Sequence, residues 1–201
     1  MKLSDRAHVF EQAIAEHLSV IEVLLEQKNV LERIAGEMAQ AISNGKKILW
    51  CGNGGSAADS QHLAAELVGR FRRERRAIAS IALTTDTSIL TAIGNDYGYD
   101  RVFSRQVEAL CASGDVLVGI STSGNSRNIS LALREARTRG AFTVAFTGND
   151  GGKIAGMADA ALRIASHDTA RIQEGHILCG HILCDWVELH VSQDLEARKE
   201  R

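Results

Sequence analysis

The chain has 201 residues and a mass of 21.7 kDa, which suits one domain with a modest extension and excludes two full-size domains. With 45% apolar and 24% charged residues, a core can form and wholesale disorder is excluded. A formal net charge of -2 provides no overall field that would recruit nucleic acid or an anionic membrane, so neither is expected as a partner.

Apolar residues at helical spacing predict two helices within residues 4–43, and Asn44-Gly45 ends the second one. From there short apolar strands alternate with helical patterns, which is typical of an α/β fold with a parallel sheet and helices on both faces. The predicted strands cover residues 47–51, 78–83, 115–121, 142–147 and 159–164. The predicted helices cover residues 56–70, 101–112 and 126–139, with an apolar closing helix at 170–195.

No linker or repeat separates these elements. We therefore interpret residues 1–45 as an N-terminal helical extension, whose amphipathic stripe can pack against another subunit, and residues 46–201 as the α/β domain. No apolar run reaches the length of a membrane span, and the first twelve residues mix charges of both signs, so we expect a cytoplasmic protein. The four cysteines form no CxxC pair, which favours reduced, packed thiols over a disulfide framework.

A glycine-rich loop, CGNGGSAAD at residues 51–59, follows the first strand and opens a helix. Gly52, Gly54 and Gly55 allow a tight turn that presents backbone N–H groups, and Ser56 can cap the helix that follows. The loop lacks the lysine of a nucleoside-triphosphate loop and the full GxGxxG spacing. Alone it is therefore a weak indication of a ligand site.

A second loop, ISTSGNSRN at residues 120–128, places four hydroxyls around one glycine between a strand and a helix. Hydroxyls, backbone N–H groups and the positive end of a helix can bind a phosphate monoester without a lysine, and Arg127 is nearby. An ordinary serine-rich capped turn is the alternative. Two such loops in one sheet favour a ligand site, because open α/β sheets bind ligands at this edge.

Two helices carry residues that could hold a metal ion. His62 and Glu66 lie four residues apart, so their side chains project from one face of a helix. Gln173 and His181 lie eight residues apart on the closing helix and can face the same cleft. Taken alone, the first pair is more often a surface ion pair, and a histidine in an apolar helix is more often a packed core residue. Together the four would suit zinc or a similar ion.

Five segments together resemble the sugar-isomerase (SIS) superfamily and, more closely, its phosphoheptose isomerases, in order and spacing over nearly the whole chain. These segments are residues 51–71, 94–110, 114–126, 147–159 and 171–184. The resemblance implies a three-layer αβα sandwich with a central parallel five-stranded sheet, preceded by N-terminal helices. It also implies an intramolecular oxidoreductase that converts sedoheptulose 7-phosphate to D-glycero-D-manno-heptose 7-phosphate through an enediol, the first step toward ADP- or GDP-heptose.

By the same resemblance, His62, Glu66, Gln173 and His181 are the ligands of one Zn²⁺ per subunit. Glu66 would move the carbon-bound proton, and His181 would serve the oxygens or help to open the sugar ring. Family members form homotetramers, and Arg70 matches an arginine that lies near the site in relatives. The substrate contacts implied are Asn53, Gly54, Gly55, Glu66, Asn95, Asp96, Ser121, Thr122, Ser123, Ser126 and Gln173.

Ala170 departs from the pattern, because some family members carry an aspartate at this position, and no acid–base role is expected of it. A rival hypothesis is a non-enzymatic, DiaA-like protein that binds the replication initiator DnaA. The joint presence of Glu66 and His181 favours the enzyme. A sugar-phosphate-sensing regulator would need a DNA-binding domain, for which the chain leaves no room.

Two further features of the sequence have competing interpretations. The basic run RFRRERR at residues 70–76 could bind nucleic acid, but a solvated loop or one paired with a neighbouring subunit is favoured. His176 lies three residues after Gln173 and could line the site, although a supporting or packing role is favoured over metal ligation.

Overall fold

The computed structural model describes the backbone of residues 3–199 and the side chains of residues 8–193. The ends of the predicted extension and domain, residues 1, 2, 200 and 201, lie outside the described residues. Two helices come first, α1 (Leu3–Leu24) and α2 (Lys28–Ser43), joined by a short 3₁₀ turn. They confirm the prediction of two N-terminal helices.

The described residues contain one parallel sheet of five strands in the order β2-β1-β3-β4-β5. Each predicted strand is confirmed, although β2 is shorter than expected, with three residues that pair with β1. The strands are β1 (Ile48–Gly52), β2 (Ser80–Ala82), β3 (Val116–Ser121), β4 (Phe142–Gly148) and β5 (Ala160–Ile164). The apolar runs of β1 and β3 are buried throughout, as strands covered on both faces require.

Helices connect the strands and close the chain. They are α3 (Gly55–Val68), α4 (Thr87–Tyr97), α5 (Ser104–Leu110), α6 (Arg127–Thr138), α7 (Gly152–Ala155) and α8 (Thr169–Lys199). The sequence pattern did not predict α4, because it contacts the core through the partly buried Leu90 and Ile93, a pattern too short to show a helical period. Its start is fixed instead by Asp86, whose carboxylate accepts the N–H of Ile89 at 2.9 Å.

The core has two halves, one on each face of the sheet. Alternate residues of β1 point to opposite faces, so Ile48 and Trp50 join one half while Leu49 and Cys51 join the other. The first half is completed by residues of α2, α3 and α8, and the second by residues of α5 and α6. This arrangement confirms the three-layer αβα sandwich.

The N-terminal helices pack against the rest of the fold. The α2 helix runs along α8 and contributes the fully buried side chains of Ile34 and Met38 to the first half of the core. On α1, the backbone carbonyl of Ala13 accepts a hydrogen bond from Arg171 on α8 at 2.8 Å. Among the described residues, no helix combines the length and apolar character needed to span a membrane.

Candidate active site

The two predicted loops lie side by side at the carboxyl edge of the sheet. The glycine-rich loop follows β1 and the serine-rich loop follows β3, and these neighbouring strands are in register at Gly52 and Ile120. The strand that follows β1 in the chain, β2, lies on one side of β1, and β3 lies on the other side. The chain direction therefore switches at β1, and open α/β sheets form their ligand crevice at such a switch point.

The glycine-rich loop turns at Gly54, whose φ of 56° is in the region that favours glycine. Gly54 itself is the residue that precedes α3, so the prediction that Ser56 caps this helix is wrong. Ser56 lies within the first turn of α3 and is buried beneath the loop, where a Cβ at Gly52 would overlap it. The tight turn starts the helix earlier than a serine cap would.

Asn53 joins the two loops. Its side-chain amide exchanges two hydrogen bonds with the amide of Asn128 on α6, at 3.0 and 2.8 Å, and its oxygen also accepts from the Tyr99 hydroxyl at 3.2 Å. Asn128 and Tyr99 were not predicted as site residues, because their role is to pair with a residue distant in the sequence. The three side chains fix the relative position of the loops.

The serine-rich loop has a defined shape, in which Ser123 is exposed, Ser126 is half-buried and Ser121 is buried. The Ser121 and Ser126 hydroxyls lie 2.9 Å apart and share a hydrogen bond, while the Ser123 hydroxyl accepts the N–H of Asn125. Ser126 precedes α6, yet its side chain makes no capping hydrogen bond. This observation argues against the ordinary capped turn. Thr122 is half-buried beside them, so the structure brings all four predicted hydroxyl residues together.

Arg127, which follows this loop, does not point its charge at the hydroxyls. Its guanidinium pairs with Asp100 at 3.0 Å, and both side chains are exposed. Gly124, at the centre of the loop, has a φ of 63° and packs against the backbone at Gly151, where a side chain would not fit. The loop therefore offers hydroxyls and backbone N–H groups, and no cation.

The predicted metal ligands His62, Glu66 and His181 converge between α3 and α8. Their ligand atoms all lie within 4.8 Å of one another. The Nε2 atoms of the two histidines are 2.9 Å apart, and His62 Nε2 is 3.4 Å from a Glu66 oxygen. Two imidazole nitrogens and a carboxylate oxygen that face one point form a donor set that fits a zinc ion.

The surroundings of His181 favour the neutral form of its imidazole. Burial and the neighbouring His62 lower its pKa, while Glu66 acts in the opposite direction. The ring of Phe71 stacks on it, with centroids 5.3 Å apart and an angle of 20° between the planes. Neutral imidazole is the form that binds a metal ion, so the surroundings of His181 suit a ligand.

Gln173 lies two turns before His181 on α8, and its amide rests against Gly55 at the start of α3. A Cβ at position 55 would overlap this amide, so the glycine allows the close approach and an alanine there would displace the amide. Gln173 thus lies between the glycine-rich loop and the start of the helix that carries His62 and Glu66. Its predicted roles in metal and substrate binding stay predictions.

Asn95, Asp96 and Arg70 lie at the margins of these loops. Asn95 donates to the Asp96 carboxylate at 2.8 Å, and both are exposed near the end of α4, just ahead of Tyr99, which contacts Asn53. Arg70 is exposed just beyond α3. Their predicted contacts with substrate, or with the site, stay predictions.

The structure assigns His176 to packing. The residue is fully buried, and its Nε2 lies 3.1 Å from the carbonyl of Thr147 on β4. Burial lowers its pKa to about 4, with the Thr147 bond acting in the opposite direction. His176 therefore does not line the site.

Asp59 was not predicted as a site residue. It lies one turn before His62 on α3, and its Oδ2 atom is buried with no hydrogen-bond partner among the described residues. Burial raises its pKa, and His62 opposes the shift. Only its position in the loop segment could have pointed to it.

The basic run at residues 70–76 is not a free cationic patch. Arg72 and Arg73 both pair with Asp185 on α8, the first at 3.0 Å. Arg75 is buried beside Glu188 on the same helix. Within the described residues, two carboxylates of α8 pair with three of the five arginines, while Arg70 and Arg76 stay exposed, so the run is partly paired with its own chain and partly solvated as predicted.

Comparison with known proteins agrees with this architecture. The family model described as "SIS domain" matches residues 10–148. With two loops at the switch point of a parallel five-stranded sheet, this match defines the class of the protein as an SIS domain protein. The phosphoheptose isomerase of Aquifex aeolicus (strain VF5) is 53% identical over 180 residues, which cover 90% of this chain and 93% of that protein.

Solved structures agree. The phosphoheptose isomerase GmhA from Neisseria gonorrhoeae has a TM-score of 0.83 at 49% identity, over 93% of this chain and 99% of its own. A phosphoheptose isomerase from Francisella tularensis has a TM-score of 0.86 at 37% identity, over 94% and 100% of the two chains. The chain belongs to the phosphoheptose isomerase family.

Proposed function

We propose that the protein isomerises sedoheptulose 7-phosphate to D-glycero-D-manno-heptose 7-phosphate. The observation that carries this proposal is the meeting of His62, Glu66 and His181 beside two loops suited to a sugar phosphate. Relatives named phosphoheptose isomerase at about half identity over most of the chain support it. The product would enter the synthesis of nucleotide-activated heptose.

The donor set supports a zinc ion in each subunit. His62, Glu66 and His181 would supply three ligands, and the Gln173 amide oxygen the fourth, which completes the usual coordination number of zinc. When bound, zinc would stabilise negative charge on the substrate oxygens. A carboxylate has two oxygens, so Glu66 can hold a cation with one and exchange a proton with the other.

The isomerisation moves one proton between carbons and one between oxygens. In the direction from ketose to aldose, Glu66 would take a proton from C1 while O2 gains one, which gives the enediol. Glu66 would then return the proton to C2 as O1 loses its own. His181, close to Glu66 and with a lowered pKa, is suited to carry the proton between O1 and O2.

Substrate orientation would come from groups remote from the reacting carbons. The hydroxyls of Ser121, Thr122, Ser123 and Ser126, with the N–H groups that open α6, suit the phosphate. Asn53, Gly54 and Gly55 would contact the sugar from the first loop, as would Asn95 and Asp96 from α4. Binding energy at the phosphate would hold C1 and C2 against Glu66.

We also propose that the protein is a cytoplasmic homotetramer. Its four cysteines are free and buried, which suits a reducing compartment. Large apolar side chains are exposed on α1 and α8. They are Val9, Phe10, Ile14 and Leu18 on α1, and Ile182, Trp186 and Leu189 on α8. Such a surface suits burial between subunits, so residues 1–45 would serve assembly. Light scattering should give four chains per particle, and Trp186→Asp should reduce that number.

The test of function is conversion of sedoheptulose 7-phosphate followed by NMR, with chelated and zinc-restored samples side by side. Loss of aldoheptose phosphate formation on chelation and its return with zinc would support both the reaction and the metal. Fructose 6-phosphate, one carbon shorter, is the control for substrate length. If folded, zinc-loaded protein converts neither sugar, the proposed function is wrong, and binding of the replication initiator becomes the hypothesis to test.

A further inference from the structure

A buried carboxylate on α8 holds the backbone of the loop that follows α3. Glu188 has no exposed surface, and its two oxygens accept the N–H groups of Phe71, Arg72 and Arg73 at 2.9, 2.7 and 2.8 Å. It lies seven residues after His181, two turns further along α8 and on nearly the same face. The Glu188 side chain therefore fixes three consecutive residues of the loop that contacts His181, a member of the His62–Glu66–His181 cluster.

Arg75 balances the charge of Glu188 and binds the end of α3. Its Nε is 3.3 Å from a Glu188 oxygen, an ion pair without the alignment of a hydrogen bond, and the arginine side chain is also fully buried. Its guanidinium donates to the carbonyls of Gly69 and Glu66, each at 2.8 Å. A cation at this end of a helix satisfies free carbonyls and complements the helix dipole. Glu66 is thus held through its own backbone.

A second contact sets the distance between the same two helices. At Gly180, a Cβ would overlap the side chain of Leu63 on α3. Gly180 and Leu63 are the chain neighbours of His181 and His62, so the helices approach closely where the two imidazoles meet. The Glu188–Arg75 pair is a second link between α8 and α3, at the end of α3 that follows Glu66. Together the two contacts fix how α3 and α8 face each other across the cluster.

Phe71 connects the buried pair to the imidazole of His181. Its N–H is bound by Glu188, while its ring stacks on His181. We propose that Glu188 and Arg75 are positioning residues for the isomerase reaction, which hold the end of α3 and the Phe71 ring so that Glu66 and His181 keep their spacing. This inference rests on the proposed function for its kinetic test, and on the stacking geometry for its spectroscopic one.

The test uses three variants and one control in the full chain. Glu188→Gln keeps the shape but leaves the charge of Arg75 buried without a partner, which can prevent folding. The double variant Glu188→Gln/Arg75→Met removes both charges. Phe71→Leu leaves the pair intact and removes only the ring. Asp185→Asn, on α8 and paired with the same loop at its surface, is the matched control.

Each folded variant is compared for kcat, for KM, and for the NMR shift of the His181 ring protons, assigned with His181→Gln. We expect the Glu188 variants and Phe71→Leu to move the His181 resonance, and the Glu188 variants to lower kcat about tenfold or more with a much smaller change in KM. Asp185→Asn should stay within about twofold of the parent, as expected for a surface ion pair.

Folded Glu188 variants with parental kcat and a parental His181 resonance would overturn the inference. If neither folds, Phe71→Leu decides through kcat, because loss of the stacked ring moves the resonance by itself, and a parental kcat there would overturn the inference too. If the parent itself has no isomerase activity, the proposed function is wrong. In that case the NMR shift of the His181 ring protons, measured without metal or substrate, is the only test of the positioning role.

Discussion

Stability should fall in mild acid because of one buried histidine. In the folded protein, burial holds the pKa of His176 at about 4, well below its ordinary value of 6.5. Between these two values the unfolded chain binds a proton that the folded protein excludes. The stabilisation from His176 is therefore present above pH 6.5 and is lost as the pH falls toward 4. A shift of this size corresponds to about 3 kcal/mol at the acid end of the range.

The assay is urea unfolding of metal-free protein at a series of pH values from 7 to 4 and at fixed protein concentration. His176→Gln should be less stable than the parent at pH 7, because a packed ring is lost, but its free energy of unfolding should fall less steeply with acid. His8→Gln, exposed on α1, is the matched control and should follow the parent. Parallel decline of the parent and His176→Gln across this range would refute the reasoning.

Three further predictions concern other buried contacts. Burial raises the pKa of Cys51, Cys179 and Cys184 to about 12 and that of Cys111 to about 11, so a disulfide reagent at pH 8 should label the native protein far more slowly than the protein in guanidinium. Fast labelling of native protein would contradict this burial. Gly55→Ala should displace the Gln173 amide and weaken zinc binding about tenfold in a chelator competition, whereas Gly156→Ala, in open space, should not. Equal affinities would remove Gln173 from the ligand set. Asp115→Asn should lower the free energy of unfolding by about 1–3 kcal/mol, because the buried carboxylate accepts the Ala112 N–H and pairs with Lys47 at 2.6 Å. An unchanged urea midpoint would show that these bonds contribute nothing.

The sheet and its order of elements could be predicted because each strand is a short apolar run bounded by turn residues. The α4 helix could not, since only its partly buried Leu90 and Ile93 meet the core and its clearest local mark is the Asp86 cap. The length of β2 also escaped prediction, because its pairing with β1 stops at Trp50 although β1 continues to Gly52, and no local pattern marks that point. Local patterns therefore sufficed for the buried elements and failed for the exposed ones.

The site was predictable where it follows from local spacing. His62 and Glu66 share a helix face, and both loops follow strands, so their neighbourhood could be foreseen. The contacts of Asn53 with Asn128 and of Phe71 with Glu188 join residues 75 and 117 positions apart. No periodicity marks such pairs, and the basic run looked like an open charged loop for the same reason.

The role of Glu66 as the base is the central claim, and turnover of sedoheptulose 7-phosphate by Glu66→Gln tests it most directly. The substitution keeps the shape of the side chain and removes its ability to accept a proton. Glu108→Gln, whose glutamate forms an exposed pair with Arg105 on α5, controls for the loss of a carboxylate elsewhere. We predict that zinc-loaded, folded Glu66→Gln forms no measurable aldoheptose phosphate by NMR while Glu108→Gln matches the parent. Turnover by Glu66→Gln at the parental rate would contradict the account.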